Sequence, residues 1–319
     1  MYFARILFFC EKGLQFNNLS PVPIELFQTD NYKCTIKSKI QGNKIKVIIE
    51  YGGFEKKEKA QSEGINLLRN IKLEMCKYNN SINISGIKGM LDCKELSVMP
   101  AELTPHGINY CREKLMAEGK ISKNTRVMED VLGLEIYEVT SSMNEIYFVA
   151  EDFKLLYNTD FKFQKQNFEF WDDKLDTALS FLNTSILIND VRIKFLLKIM
   201  CIEVLVSNKK YNEDSYIAII DNITKSLSSN DELNKRLKND ISQLKVQSIG
   251  SKCRNLITKH CKGINYSGLN ALDFFKYCYK MRSNLVHSGE IDLLDLKKHD
   301  EPLRKLVTDI IESISRNKN

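Results

Sequence analysis

The residues with the clearest potential for chemistry are an arginine and a histidine near the C-terminal end of the chain, Arg282 and His287. Histidine is the side chain best suited to take or give a proton near neutral pH, and an arginine keeps its positive charge throughout that range. The same two residue types near a helix end are also typical of a surface ion pair and a helix cap. The spacing alone leaves a catalytic and a structural role open.

These two residues lie in a predicted amphipathic helix. Residues 269–286 contain no proline or glycine, their apolar residues recur at helical spacing, and Gly289 follows where a helix usually stops. His287 is then in the last turn, where the partial negative charge of the helix end favours an imidazolium. Five residues rotate two side chains about 140° apart on a regular helix. Either the last turn opens at Ser288 and Gly289, or the same helix of a second subunit completes the site.

Residues 279–289 read Tyr-Lys-Met-Arg-Ser-Asn-Leu-Val-His-Ser-Gly, and this string resembles the signature of HEPN domains, in particular the Apea-like branch. Residues 191–205 resemble a helix of that branch that carries a glutamate, here Glu203, before a leucine-rich turn. The resemblance covers about the C-terminal half of the chain. It implies an all-α bundle over residues 168–319 and a homodimer with a cleft between the two Arg-x4-His helices.

The resemblance also implies an activity, a metal-independent endoribonuclease that uses no cofactor. His287 would take the proton of a ribose 2′-hydroxyl or donate one to the leaving 5′-oxygen, and Arg282 would stabilise the charge on the phosphorane. Ser283 and Asn284 would orient these groups or bind the phosphate. Because the chemistry needs the 2′-hydroxyl, DNA should not be cut.

Two further residues are expected to support the site. Glu203 lies on an otherwise apolar helix, and a buried carboxylate without a partner is costly. It is therefore expected to pair with an arginine such as Arg282, or else to lie exposed at its helix end. Tyr279 could stack on a base, although packing or anchoring of the helix is the more ordinary role for such a tyrosine.

Lysines flank the predicted site helix, and Lys276 and Lys280 are the expected RNA contacts. Others close to it in the sequence are Lys259, Lys262, Lys297 and Lys298. If these lysines lie on one surface, they would attract phosphate. Otherwise they lie on the solvated faces of separate helices. The net charge of +6 permits nucleic-acid binding without requiring it.

The fold class predicted for the whole chain is α+β. Residues 1–157 read as a mixed α/β domain with a strand at 3–10, hairpins at 32–39/44–51 and 134–139/146–150, and helices at 57–78 and 105–119. Residues 158–167 read as a linker or peripheral strand. Helices are then predicted from Trp171 and over 191–206, 213–227, 231–246, 251–261, 269–287 and 301–315, with Asp190 as an N-cap.

The cysteines and residues 1–10 indicate the cellular compartment in which the protein is expected. The nine cysteines are odd in number and show no C-x-x-C spacing, which indicates thiols in a reducing compartment. Cys253, His260 and Cys261 are too poorly spaced to predict a metal site. Residues 1–10 are too short an apolar run for a signal peptide or a membrane span. A cytoplasmic protein without membrane contact is expected.

Two functions of different class follow. The first is the ribonuclease, in a prokaryotic setting of antiviral defence or abortive infection, with the N-terminal domain sensing a trigger or restraining the nuclease. A phage-derived or operon-encoded protein would be a partner. The second is a non-catalytic HEPN module that dimerises and binds nucleotide, RNA or a protein. Ser283, where ribonuclease members often carry asparagine, slightly favours this module, whereas the presence of both Arg282 and His287 favours the ribonuclease.

Overall fold

The computed structural model describes residues 1–11, 19–20, 24–29, 32–41, 44–82, 105–123, 125–128, 133–140, 145–148, 157–158, 168–206, 214–227, 232–245, 247–289 and 291–316. The chain divides into two compact units, Met1–Phe168 and Glu169–Asn319. The first contains an antiparallel sheet and the second is mostly helical, so the chain is of the α+β class.

The strands of the first unit are β1 (Tyr2–Glu11), β2 (Leu19–Ser20), β3 (Ile24–Gln28), β4 (Lys33–Gln41), β5 (Lys44–Phe54), β6 (Thr125–Met128), β7 (Gly133–Glu138), β8 (Glu145–Phe148) and β9 (Tyr157–Asn158). Within the described residues, five of them form one sheet in the order β3-β4-β5-β1-β7. The predicted hairpin of residues 32–39 and 44–51 is confirmed as β4 and β5, while its turn residues 42–43 lie outside the described residues.

One face of this sheet is covered by α1 (Lys57–Lys77). Alternate residues of β1 and β5, such as Ile6 and Val47, point towards this helix and are fully buried with Ile71. The helix lies close to the sheet at Gly64, where an added Cβ would stand 2.8 Å from the Cβ of Ala4. A further helix among the described residues of this unit is α2 (Pro105–Ala117).

The second predicted hairpin, of residues 134–139 and 146–150, is wrong. Strand β7 pairs antiparallel with β1, whereas β8 pairs in parallel with β6. The alternation of apolar residues identified both strands, but alternation is a property of one strand and does not select its partner. The intervening residues 141–144 lie outside the described residues.

The helices of the second unit are α3 (Asp173–Leu187), α4 (Val191–Leu205), α5 (Asp214–Ser226), α6 (Glu232–Gln243), α7 (Ile249–His260), α8 (Ala271–His287) and α9 (Leu293–Arg316). A short antiparallel pair, β10 (Asn265–Tyr266) and β11 (Leu269–Asn270), precedes α8. The core of this unit includes Leu179, Phe195, Ile199, Phe274, Phe275, Leu306 and Ile310. The predicted cap at Asp190 is confirmed, because its side chain accepts from the backbone N–H groups of Arg192 and Ile193.

Two helix starts differ from the prediction. Trp171 precedes α3 rather than beginning it: Asp172 is the N-cap, and the Trp171 indole donates to Asp176 at 2.7 Å. Helix α9 begins at Leu293, eight residues before the predicted start, and Pro302 lies inside it. The buried residues Leu296 and His299 extend the apolar face upstream of the proline, and this tertiary packing is not visible in the local pattern.

No helix in the described ranges is long and apolar enough to cross a membrane.

Candidate functional site

Helix α8 presents two faces. Its buried residues follow helical spacing and consist of Ala271, Phe274, Phe275, Cys278 and Met281. Asn270 caps the start by accepting from the N–H of Asp273. The helix ends as predicted, since Gly289 has a φ of 71°, and the backbone N–H of Ser288 still donates to the carbonyl of Asn284 at 2.9 Å. The last turn is closed, so Arg282 and His287 stay about 140° apart around the axis.

Arg282 lies at the edge of the buried face, in contact with Glu203 on α4. Its Nε is 3.4 Å from Oε1 of Glu203, and the two side chains are 29% and 17% exposed. The guanidinium carbon is also 5.8 Å from the centre of the Tyr279 ring, a cation–π distance. The ion pair expected for Glu203 is therefore present, and Tyr279 supports it from the same helix.

The surroundings of Glu203 are largely shielded from water. Its Oε1 is buried and, within the described residues, receives no hydrogen bond of good geometry, so the long contact with Arg282 is its compensation. Burial and then the charge of Glu203 raise the pKa of Tyr279 and also the pKa of Cys253, the latter to about 12. The phenol and the thiol both remain neutral beside the carboxylate.

Helix α7 closes this cluster through Gly250. A Cβ added there would meet the Tyr279 ring at 3.1 Å, so only glycine lets the first turn of α7 approach the ring without displacing it. The sequence analysis missed Gly250 and Cys253 as neighbours of the site. Their local signals, a glycine in a first helical turn and an isolated cysteine among polar residues, do not identify a tertiary partner.

His287 lies on the opposite, outward face of α8. The exposed residues Lys276, Lys280 and His287 recur at helical spacing with the partly buried Ser283 between them. We call these four residues the outer stripe. Within the described part of the chain, His287 makes no hydrogen bond or ion pair, and Lys276 pairs with Asp273 at 2.9 Å. The structure thus brings Glu203, Tyr279 and Arg282 together and places His287 elsewhere.

Asn284 and Lys280 line a shallow pocket of about 400 Å³ between α8 and the start of α9. Asp292 and Asp295 lie in the same pocket, and the hydroxyl of Tyr277 donates to Asp295. The two carboxylates offset the charge of Lys280 on this side.

The cysteines and histidine that were weighed as metal ligands have separate surroundings. His260 Nδ1 lies 3.0 Å from the hydroxyl of Ser313, and Cys253 faces the Glu203 cluster. Cys261 lies near Tyr266, whose hydroxyl donates to Asp309 at 2.7 Å. Among the described residues, no group of three or more metal-ligating side chains converges.

No protein-family model, curated protein or solved structure matches this chain.

Proposed function

We propose that this chain is a metal-independent endoribonuclease of HEPN type that acts as a homodimer. The observation that carries the proposal is the placement of Arg282 and His287 on one regular helix, with His287 exposed and without a partner in the described residues. An exposed histidine at a helix C-terminus keeps access to water and substrate, as a proton-transfer group requires. The resemblance of residues 279–289 to the HEPN signature supplies the type of reaction.

A dimer is proposed because of the rotation between the two side chains. A separation of about 140° prevents one helix from directing both groups at the same phosphate. Two copies of α8 related by a two-fold axis would place Arg282 of one subunit opposite His287 of the other, and each dimer would contain two equivalent sites. In this arrangement Lys276, Lys280 and Ser283 extend along the cleft and attract the phosphate backbone.

Each site uses one His287. Its neutral imidazole takes the 2′-hydroxyl proton while the 2′-oxygen attacks phosphorus. Water donates a proton to the 5′-oxygen as the P–O5′ bond breaks, and the imidazolium returns its proton to the hydroxide that is left. Arg282 stabilises the charge on the phosphorane, and Glu203 and Tyr279 position the guanidinium. The products are a 2′,3′-cyclic phosphate and a 5′-hydroxyl.

The proposed setting is prokaryotic antiviral defence or abortive infection. In this proposal the N-terminal domain, residues 1–157, restrains the nuclease until it meets a trigger, such as a phage-derived or operon-encoded protein. The helical domain, residues 168–319, carries the site.

The test is cleavage of a labelled single-stranded RNA in excess EDTA by the wild type, Arg282→Ala and His287→Ala. Both variants are expected to lose at least about a hundredfold in rate, while DNA of the same sequence stays intact. Arg316→Ala is the matched control, since it removes another partly exposed, ion-paired arginine on a different helix. Retained cleavage in both site variants would contradict the proposed residues.

A mixing experiment tests the shared site. Subunits of the two inactive variants are unfolded together and refolded, so that about half of the dimers are mixed and each mixed dimer keeps one of two sites. About a quarter of the wild-type rate should return. No recovery, with mixed dimers verified by mass spectrometry, would exclude a site built from both subunits.

A second candidate is a non-catalytic HEPN module that dimerises and binds RNA, nucleotide or a protein. The contact of Arg282 with Glu203 favours this module, because an arginine that pairs with a buried carboxylate has a structural role. For this module the wild type leaves RNA intact, and Arg282→Ala lowers stability without changing RNA affinity.

A further inference from the structure

A cavity of about 500 Å³ lies in the second unit, beside α7. Lys252, Asn255 and Lys259 of α7 line it, and helical periodicity places them opposite Gly250 and Cys253, which face the Glu203 cluster. This cavity is therefore separate from the site proposed above. Its volume falls within the range of small-molecule sites, about 300–1,000 Å³.

The charged residues that line the cavity are mostly positive. Lys174, Lys252 and Lys259 contribute three ammonium groups, and Asp172 contributes the one carboxylate among the lining residues. That carboxylate already accepts the backbone N–H of Leu175 at 2.9 Å as the N-cap of α3. Lys252 is only 8% exposed.

The lysines come from two helices, Lys174 from α3 and both Lys252 and Lys259 from α7. The Nζ of Lys174 donates to the carbonyl of Val206, at the end of α4, at 2.8 Å. Lys259 is close enough to His260 that its charge, after burial, lowers the pKa of that imidazole.

The remaining wall is apolar and includes Phe170, Leu175, Leu205, Leu256 and Ile314. Phe170 is 38% exposed and offers an aromatic face. A ligand that complements both the lysines and the apolar wall carries an anionic group and an apolar part. A phosphate monoester suits three lysines better than a carboxylate, because it carries up to two charges and three terminal oxygens.

We infer that this cavity binds a small phosphate monoester with an apolar organic part. The inference is independent of the proposed nuclease, since it uses none of the residues of the Glu203 cluster or the outer stripe.

The experiment titrates full-length protein with phenyl phosphate by calorimetry. Trp171, the single tryptophan, stands between the lining residues Phe170 and Asp172, so its fluorescence reports binding at this place. Saturable heat and a matching fluorescence change are expected. Lys174→Gln and Lys259→Gln should each raise Kd about tenfold, the effect of losing one charge-assisted hydrogen bond.

Lys262→Gln is the matched control, an exposed lysine just beyond α7 that does not line the cavity, and it should leave Kd unchanged. Arg282→Ala and His287→Ala should also bind normally, whatever their effect on RNA cleavage. Absence of saturable binding, equal binding of phenol, or insensitivity to both cavity lysines would overturn the inference. So would a short single-stranded RNA that binds more tightly than phenyl phosphate through Lys174 and Lys259.

Discussion

Arg282 is held between a carboxylate and an aromatic ring, and each contact restricts it differently. Its Nε lies 3.4 Å from Oε1 of Glu203, an ion-pair contact, and the Tyr279 ring limits where the planar guanidinium can turn. Because the arginine is 29% exposed, the charge also retains contact with water. The pair therefore orients the side chain more than it stabilises the fold.

A double-mutant cycle measures this pair. With Glu203→Gln, Arg282→Gln and the double variant, we expect a coupling energy of about 0.5–1 kcal/mol, because the pair is shielded on the glutamate side and partly hydrated on the arginine side. Urea unfolding of the four proteins gives the value. A coupling of zero would show that the 3.4 Å contact contributes nothing in solution.

His260 should make stability depend on pH. Burial, followed by the charge of Lys259, lowers its pKa, so the folded protein binds fewer protons at this site than the unfolded chain. The free energy of unfolding is then expected to fall as pH drops through about 6.5, where the unfolded histidine becomes protonated. His260→Gln should weaken this dependence in urea titrations between about pH 7.5 and 5.5.

Lys259→Gln provides an internal comparison for that experiment. Removing the second cause of the shift while keeping the first should give a pH dependence between those of the wild type and His260→Gln. A curve for His260→Gln that coincides with the wild type would contradict the assignment.

At the scale of elements, the closest approach in the first unit is that of α1 to the sheet. Gly64 faces Ala4 on β1 and Leu134 on β7, and a Cβ at that position would lie 2.8 Å from one and 2.9 Å from the other. The leucine side chain can rotate away. The Cβ of Ala4 cannot, because it is fixed to the backbone of a strand that is paired on both sides.

Gly64→Ala tests which of two opposed effects is larger. Replacing a mid-helix glycine with alanine gains about 1 kcal/mol of helix propensity, whereas overpacking costs about 1–3 kcal/mol. Because the Cβ of Ala4 is fixed to the backbone, we expect Gly64→Ala to lower the free energy of unfolding, measured in urea, by about 1 kcal/mol. Ser62→Ala, at an exposed position of the same helix, should change stability by less than about 0.5 kcal/mol. A more stable Gly64→Ala protein would show that α1 can shift outward.

Local signals predicted many of these elements, and tertiary contacts decided the rest. Asp190 and Gly289 act within a few residues of themselves, so the start of α4 and the end of α8 followed from the sequence. The pairing of Glu203 with Arg282 followed from the cost of a buried carboxylate. The partner of β7 and the early start of α9 depend on distant surfaces, as does the contact of Gly250 with Tyr279.

At the scale of the molecule, each unit buries a core of its own. The first packs α1 on its sheet, and the second packs α4 against α3, α8 and α9. The start of the second unit is bound to its end, because the N–H groups of Glu169 and Phe170 donate to the carbonyl of Ser315 at 2.9 and 3.1 Å. The helical unit is therefore closed by hydrogen bonds as well as by its core.

Two fragments test this closure. A fragment of residues 168–319 is expected to unfold cooperatively on its own, because its buried residues contact one another. A fragment of residues 172–319 loses both bonds to Ser315 and the bond from Trp171, and it should be less stable by about 1–3 kcal/mol. Equal urea midpoints and slopes for the two would contradict this role of residues 168–171.

Strand β1 has a consequence for synthesis on the ribosome. It is translated long before β7, yet Tyr2 pairs with Glu138 of β7, so one of its edges stays open until the ribosome reaches that strand. Pairing with β5 covers only the other edge. During that interval the nascent chain carries an open strand flanked by apolar residues, the kind of surface on which neighbouring chains aggregate. Closing such a distant pair is slow, and the yield of folded protein should depend on how quickly translation reaches β7.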